Sequence, residues 1–197
     1  PGSRLSLYVH VPFCHALCWY CGCHTTVTRS AARIARYGAG LEREAAMVAG
    51  LIPAHGGVAA LHLGGGTPTA LGAAGLLRLV AALRRLFAFR ADAEIAAELD
   101  PRSLDDAAVA ALAGLGLNRA SLGVQDISPA VQALIGRVQP TAQVEDAVAR
   151  LRAAGVAGIN MDLIYGLPGQ GVTEVEASAR FAADCGADRV AVFGYAH

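Results

Sequence analysis

Leu5-Ser6-Leu7-Tyr8-Val9-His10-Val11-Pro12-Phe13-Cys14-His15-Ala16-Leu17-Cys18-Trp19-Tyr20-Cys21-Gly22-Cys23 runs from an apolar strand straight into a cysteine loop. Leu5 to Val11 reads as a first strand. The loop spaces its thiols as Cys14-x3-Cys18-x2-Cys21. Three cysteines at that spacing suit a [4Fe-4S] cluster with three protein ligands and one open iron, which can bind and reduce a small molecule. That directs attention to redox chemistry carried by cofactors rather than by side chains. Zinc is the main alternative, because Cys23 brings the loop to four thiols and thiolates suit both metals. Cys21-Gly22-Cys23 is cramped for two ligands on one tetrahedral ion, and the surroundings are β-α rather than a small zinc knuckle. Another redox role also stays open. In the cluster reading Cys23 is a neighbour of the cluster and not a ligand.

Outward from this loop, strand-like and helix-like segments alternate. Ile34, Tyr37, Leu41, Ala45, Val48 and Ile52 follow helical spacing. Ala60 to Leu63 is a short strand that ends in Gly64-Gly65-Gly66-Thr67-Pro68. Leu76 to Phe87 is helical, with Leu76, Leu79, Leu83 and Leu86 along one side. Glu94 to Leu99 makes a third strand, ended by Asp100-Pro101. Ser103 reads as the cap of the next helix, with Asp106 as its acidic helper; Gly114 and Gly116 close it. Arg119 to Gln125 is the fourth strand. Ser128-Pro129 opens a short helix, and Thr141 to Ala154 forms a longer one stopped by Gly155. Strand Ile159 to Tyr165, helix Val172 to Cys185 and strand Arg189 to Tyr195 complete the series. The reading gives six strands and five intervening helices besides the short one. It predicts an α/β fold, a parallel sheet with outer helices. Periodicity leaves an open doubly wound sheet and a barrel both admissible. Polar and glycine-rich residues gather just past the strand ends, at Cys14 to Cys23, Gly64 to Thr67, Glu98, Gln125, Asp162 and Ala196-His197. Sheets of either kind carry their active sites along that edge.

Composition narrows the function classes. A chain of 197 residues can bury one substantial core. With 54% apolar and 16% charged residues it is no disordered segment. A formal net charge of +0 leaves no strong field to attract nucleic acid or an acidic membrane. All 16 basic residues are arginine, which reads as genomic base composition. Clustering of Cys14, Cys18, Cys21 and Cys23 makes a poor disulfide framework and implies a reducing compartment. No stretch approaches a membrane span and no signal peptide precedes the first strand, so a cytoplasmic location is expected. Both ends read as cuts in something longer. Cys185, alone near a helix end, reads as a buried structural thiol. Nothing resembles a Ser-His-Asp triad or a paired-carboxylate hydrolase site.

The ordered motifs carry a resemblance. Leu7-Tyr8-Val9-His10-Val11-Pro12-Phe13-Cys14-His15-x2-Cys18-x2-Cys21-Gly22-Cys23 resembles the radical S-adenosylmethionine (SAM) superfamily. More narrowly it is similar to the oxygen-independent coproporphyrinogen III oxidase family, also called coproporphyrinogen dehydrogenases. The likeness continues through Gly64-Gly65-Gly66-Thr67-Pro68-Thr69, Glu98-Leu99-Asp100-Pro101, Gly123-Val124-Gln125-Asp126, Asp162-Leu163-Ile164-Tyr165-Gly166-Leu167-Pro168 and Phe193-x-Tyr195-Ala196-His197. Related haem chaperones share most motifs but typically carry an aromatic residue where this chain has Cys23. Trp19-Tyr20 differs slightly from the paired aromatics usual in the oxidases.

The resemblance implies a partial (βα)6 TIM-like barrel, with residues 1–197 as the radical SAM core domain. An N-terminal segment, the final helix and a C-terminal substrate-covering domain would lie outside it. The implied reaction is oxidative decarboxylation of two propionates of coproporphyrinogen III to vinyl groups, giving protoporphyrinogen IX in haem biosynthesis through a 5′-deoxyadenosyl radical. Its cofactors would be a [4Fe-4S] cluster on Cys14, Cys18 and Cys21, and S-adenosyl-L-methionine. Tyr8 would pack near that cofactor, and Gly64, Gly65, Gly66 and Thr67 would approach its methionyl part. Glu98 would accept from the ammonium and Arg137 would face the carboxylate, although Arg137 follows a helix and could be a surface residue. Gln125 and Asp162 would handle the ribose hydroxyls, and the Ala196 backbone would lie near the adenine. Ile164 and Leu167 would supply packing. Implied partners are the porphyrinogen and a flavodoxin-like or ferredoxin-like electron donor, with no nucleic acid and no transmembrane segment. His10, His15, His24 and His62 take packing or hydrogen-bonding roles by default. Arg29 and Arg33 could meet substrate carboxylates, or be surface residues. A haem chaperone, a zinc-stabilised module and a radical enzyme with another substrate remain the alternatives.

Overall fold

The computed structural model describes residues 2–196. In chain order it contains β1 (Leu5–Val11), β2 (Phe13–Cys14), β3 (Thr26–Val27), α1 (Ala31–Leu51), β4 (Val58–Gly65), α2 (Gly72–Leu86), β5 (Phe89–Leu99), α3 (Asp106–Gly114), β6 (Arg119–Gln125), α4 (Pro129–Leu134), α5 (Thr141–Ala153), β7 (Gly158–Tyr165), α6 (Val172–Asp184) and β8 (Arg189–Gly194). Every strand of the main sheet is parallel to its neighbours, in the order β1-β4-β5-β6-β7-β8. Each crossover therefore adds its strand on the same side. A doubly wound sheet reverses direction at a switch point; this one never does. The winding is that of a partial (βα)6 barrel, and β1 and β8 are its two edges.

Alternation along the strands explains why the sheet is covered on one side only. In β7, Ile159, Met161 and Leu163 are buried, while Asn160, Asp162 and Ile164 point the other way and are half-buried. The same period of two buries Val9 and Val11 in β1, and Ala120, Leu122 and Val124 in β6. These residues share one continuous core with the inner stripe of α2, Leu76, Leu79, Val80 and Leu83. Burying one such leucine contributes about 1.5–3 kcal/mol. The opposite face of the sheet lines the interior of the half-barrel and carries the polar side chains.

Several sequence expectations need correction. Asp105, not Ser103, caps α3: its Oδ1 accepts from Ala108 N at 2.7 Å. Ser103 is held in a short 3-10 turn over Pro101–Ser103, its hydroxyl donating to the Asp100 carbonyl at 3.2 Å. Strand β5 starts at Phe89 rather than Glu94, because the register skips between Val58↔Phe89 and Ala60↔Glu94 and so absorbs extra residues. Leu86 is 37% exposed, off the apolar stripe that its spacing suggested. Cys185 is half-buried against the core rather than fully enclosed. A small parallel pair, β2 with β3, joins Phe13 to Thr26 and Cys14 to Val27 and so ties the two ends of the cysteine loop together.

Candidate functional site

The carboxyl ends of the strands surround a cavity of about 370 Å³. Cys14, Cys18, Cys21 and Cys23 reach it from the loop after β1, and Gly65, Gly66 and Thr67 from the turn after β4. Glu98, Gln125, Arg137 and Asp162 complete the expected set in its lining. Tyr8, Gly64 and Ala196 are not in the lining. Tyr8 stands beside it, 59% exposed, its ring stacked on His62 with centroids 5.8 Å apart. Gly64 is wedged between Tyr8 and Glu98, where a β-carbon would come within 2.9 Å of Tyr8 and 2.8 Å of the Glu98 carboxylate. Ala196 is exposed, and Phe193 takes its place at the cavity edge. His197, the last residue of that motif, lies outside the described residues. Arg29 and Arg33 are exposed and do not line the cavity.

Backbone geometry brings the turn after β4 against the cysteine loop. Gly65 has φ 111°, a conformation that side chains with a β-carbon resist. At Gly66 a β-carbon would sit 2.7 Å from the Phe13 carbonyl oxygen and 2.9 Å from the Cys14 sulfur. Gly66 N donates to Val11 O and Thr67 N to Phe13 O, both at 2.8 Å, which clamps the two segments. Gln125 has φ 69°, the only positive value among the described non-glycine residues. It lies at the register shift between Gly123 and Gln125 in the β6–β7 ladder. Bulges of this kind re-aim a side chain, and strain of about 1–3 kcal/mol held at one residue often marks a working site.

Several polar groups in the half-barrel are already oriented. Glu98 Oε1 lies 3.0 Å from His62 Nε2, and Oε2 accepts from Gly65 N at 3.0 Å. His10 bridges the Tyr8 hydroxyl at 3.1 Å and the His24 carbonyl at 3.0 Å. His10 and His62 thus do what was expected of them, hydrogen bonding. Asp162 accepts from Ser121 Oγ at 2.9 Å and from Asn160 Nδ2 at 2.8 Å. Burial pushes the Asp162 carboxyl above its ordinary range, and those two hydrogen bonds only partly offset it. Burial also raises the Cys14 thiol, and pushes Cys23 up to about 11 with help from neighbouring Cys21.

Arg137 corrects a further expectation. It is 6% exposed, a buried residue and not a surface one. Its Nη2 donates to the Gly123 carbonyl at 2.6 Å, and Nη1 lies 3.3 Å from Asp100 and 3.5 Å from the Cys18 sulfur. Its Nε is buried with no partner. Asp100, which the sequence places at the end of the third strand without a site role, and Arg102, to which it gives none, complete this cluster. Arg102 Nη2 donates to Asp100 at 2.7 Å and to the Cys18 sulfur at 3.5 Å. Only the Asp-Pro-Arg turn after β5 hinted at them; Arg102 and Cys18 are 84 residues apart.

The donor set fits the implied cofactors. Soft thiolates rim the cavity, a bare backbone lies against Cys14, and Arg137 Nε is a buried donor lacking an acceptor. Glu98 and Asp162 hold carboxylate oxygens at the same cavity. Among the described residues no three His, Cys, Asp or Glu side chains converge on a single ion site.

Residues 8–182 match the radical SAM superfamily, and the chain belongs to it. Members of this family take a [4Fe-4S] cluster and S-adenosylmethionine. Within the superfamily, curated relatives of this chain include oxygen-independent coproporphyrinogen III oxidases. The chain is 48% identical over 196 residues to the oxygen-independent coproporphyrinogen III oxidase of Bradyrhizobium diazoefficiens, covering 100% of this chain and 44% of that protein. To the enzyme of the same name from Escherichia coli it is 43% identical over 197 residues, covering 100% of this chain and 43% of that one. The solved structure described as coproporphyrinogen III oxidase (HemN) from Escherichia coli, a radical SAM enzyme, superposes with a TM-score of 0.94 at 42% identity, covering 100% and 45%. The chain thus spans less than half the length of the curated relatives it matches. No helix among the described residues is long and apolar enough to cross a membrane.

Proposed function

We propose that residues 1–197 are the radical SAM core domain of an oxygen-independent coproporphyrinogen III oxidase, a coproporphyrinogen dehydrogenase of haem biosynthesis. The observation that carries this reading is the convergence of the three motif thiols, Glu98, Asp162 and Arg137 on one cavity. Bound there, a [4Fe-4S] cluster and S-adenosylmethionine supply one-electron cleavage of a carbon–sulfur bond and hydrogen abstraction from carbon.

The chain's own residues hold and aim these groups. Cys14, Cys18 and Cys21 ligate three irons and leave the fourth open; Cys23 stays beside the cluster. Gly66 lets the backbone approach, and Gly65 N with His62 keeps Glu98 turned to receive an ammonium. Arg137 gives the carboxylate a charged hydrogen bond. Asp162 and Gln125 take the ribose hydroxyls. Tyr8 stays next to the cofactor and supports Glu98 through His62, rather than lining its pocket. The substrate is coproporphyrinogen III, two of whose propionates each lose a hydrogen atom to the 5′-deoxyadenosyl radical, carbon dioxide, and one electron to a separate acceptor, and become vinyl. A low-potential flavodoxin-like or ferredoxin-like protein supplies electrons, and a cytoplasmic setting suits the free thiols.

Anaerobic iron-sulfur reconstitution of the full-length gene product, followed by incubation with coproporphyrinogen III and S-adenosylmethionine, tests the reading. Protoporphyrinogen IX, carbon dioxide and 5′-deoxyadenosine are expected. Cofactor cleavage without decarboxylation would retain the radical core and reject the substrate. Haem transfer with neither activity would assign the protein to the chaperones.

A further inference from the structure

Cys18 is buried, and two guanidinium groups point donors at its sulfur. Arg102 Nη2 and Arg137 Nη1 each lie 3.5 Å from Sγ, within reach of an N–H···S hydrogen bond. They are not free to swing away. Asp100 grips Arg102 by Nε at 3.0 Å and by Nη2 at 2.7 Å. It also holds Arg137, 3.3 Å from both Nη1 and Nη2. The Gly123 carbonyl fixes Arg137 from the other side at 2.6 Å. Burial pushes the Asp100 carboxyl up, but the Arg102 hydrogen bonds and the Arg137 charge outweigh it and hold the group below the ordinary carboxylate range. Asp100 is therefore anionic at neutral pH. Two guanidinium charges less one carboxylate charge leave one net positive charge against this sulfur. Cys14, by contrast, meets a neutral hydroxyl, Thr67 Oγ1, at 3.9 Å.

We infer that Arg102, with Arg137 and clamped by Asp100, sets the reduction potential of the cluster through charged hydrogen bonds to the Cys18 thiolate. This rests on the reading of Cys14, Cys18 and Cys21 as cluster ligands. Reduction adds one electron, taken from a low-potential one-electron donor, to a cluster that already carries thiolate charge. Fixed positive charge and N–H donors at a ligand sulfur favour the more negative, reduced form. Partial burial keeps water from screening the effect. The clamp thus raises the potential, so that a given donor reduces a larger share of the protein. Arg102 does this as a positioning and tuning residue; its Nε and Nη2 donate to Asp100 and Cys18, and it is assigned no contact with S-adenosylmethionine.

The test is an electron paramagnetic resonance redox titration of the reconstituted full-length protein, without S-adenosylmethionine, using dithionite as donor. Arg102→Gln is compared with wild type, and iron and sulfide are counted for each. The expected result is an unchanged cluster content with a more negative midpoint potential, so that less of the variant is reduced at the same solution potential. Arg102→Lys keeps the charge but loses the fork, and its midpoint should fall between the two. Thr67→Val should move the midpoint less than Arg102→Gln, because it removes only a long neutral contact. If Arg102→Gln holds no cluster, Arg102→Lys carries the test, with a negative shift still expected. A cluster-replete Arg102→Gln, or Arg102→Lys in its place, titrating with wild type would overturn the inference and leave the ligand assignment intact. Wild-type protein that binds no iron and sulfide would overturn both.

Discussion

Gly66→Ala isolates the contact that brings the turn after β4 against the cysteine loop. The new methyl group would lie 2.7 Å from the Phe13 carbonyl oxygen, and Cys14 Sγ is only 2.9 Å away. Neither neighbour is the soft end of a flexible side chain. The carbonyl is backbone, and Cys14 is held in the β2–β3 pair. The two segments must therefore separate, against the 2.8 Å hydrogen bonds from Gly66 N to Val11 O and from Thr67 N to Phe13 O. Overpacking of this kind costs about 1–3 kcal/mol. Breaking the Thr67–Phe13 bond would add about 1 kcal/mol. Gly50→Ala is the matched control: it lies in α1 with nothing within 4 Å of its added carbon, and should stabilise by roughly 0.5–1 kcal/mol. Urea denaturation of the metal-free protein reads the stability. Iron and sulfide content after anaerobic reconstitution reads the displacement of Cys14. A Gly66→Ala protein with wild-type midpoint and full cluster content would refute the claim that this approach is tight.

Three further outcomes follow from the same geometry. Asp100 has a depressed folded-state pKa, so its contribution is present above the unfolded value and lost as pH falls through the folded one; Asp100→Asn should be less stable at pH 7 and flatten the acid limb of a urea-midpoint profile, and parallel profiles would contradict this. Leu112 is 0% exposed, so Leu112→Ala should cost about 2–5 kcal/mol in denaturation, whereas Leu77→Ala, at a position 43% exposed, should cost much less; equal losses would place the core wrongly. Asp162 has a raised folded-state pKa, so its ionised form is penalised above that pKa and relieved as pH falls; Asp162→Asn should match or exceed wild-type stability at pH 7 while weakening S-adenosylmethionine binding by calorimetry, and an unstable variant with intact binding would reverse the assignment.

What the sequence makes legible is whatever depends on near neighbours. The alternation Ile159, Met161, Leu163 against Asn160, Asp162, Ile164 announces a strand and its two faces at once. The spacing of Leu76, Leu79 and Leu83 announces the inner side of α2. Sheet order is not local information, and periodicity therefore could not separate the two windings. The α3 cap was misread because Ser103 and Asp105 are both competent caps. Pro101 bends the chain into a 3-10 turn that spends the Ser103 hydroxyl on Asp100. Arg102 is invisible as a site residue for a different reason: its partner Cys18 lies 84 residues away, in the loop after β1, two strands along the sheet.

The expected polar set and the apolar core are nevertheless one constraint. Parallel register places Glu98 beside Ser121, Ser121 beside Asn160, and Gly123 beside Asp162. Slipping β7 by a single residue would turn Asp162 into the core and bring Met161 or Leu163 into the cavity. The hydrophobic penalty of that slip fixes the aim of the carboxylate as firmly as any hydrogen bond does. Gln125 shows the rule's limit. It keeps to the cavity side of β6 as the alternation requires, but a register shift and a φ of 69° set how it leaves the ladder. Residues aimed by the pleat can be assigned from alternation alone. Those aimed by a clamp, such as Asp100 with its two arginines, need the folded chain to reveal them.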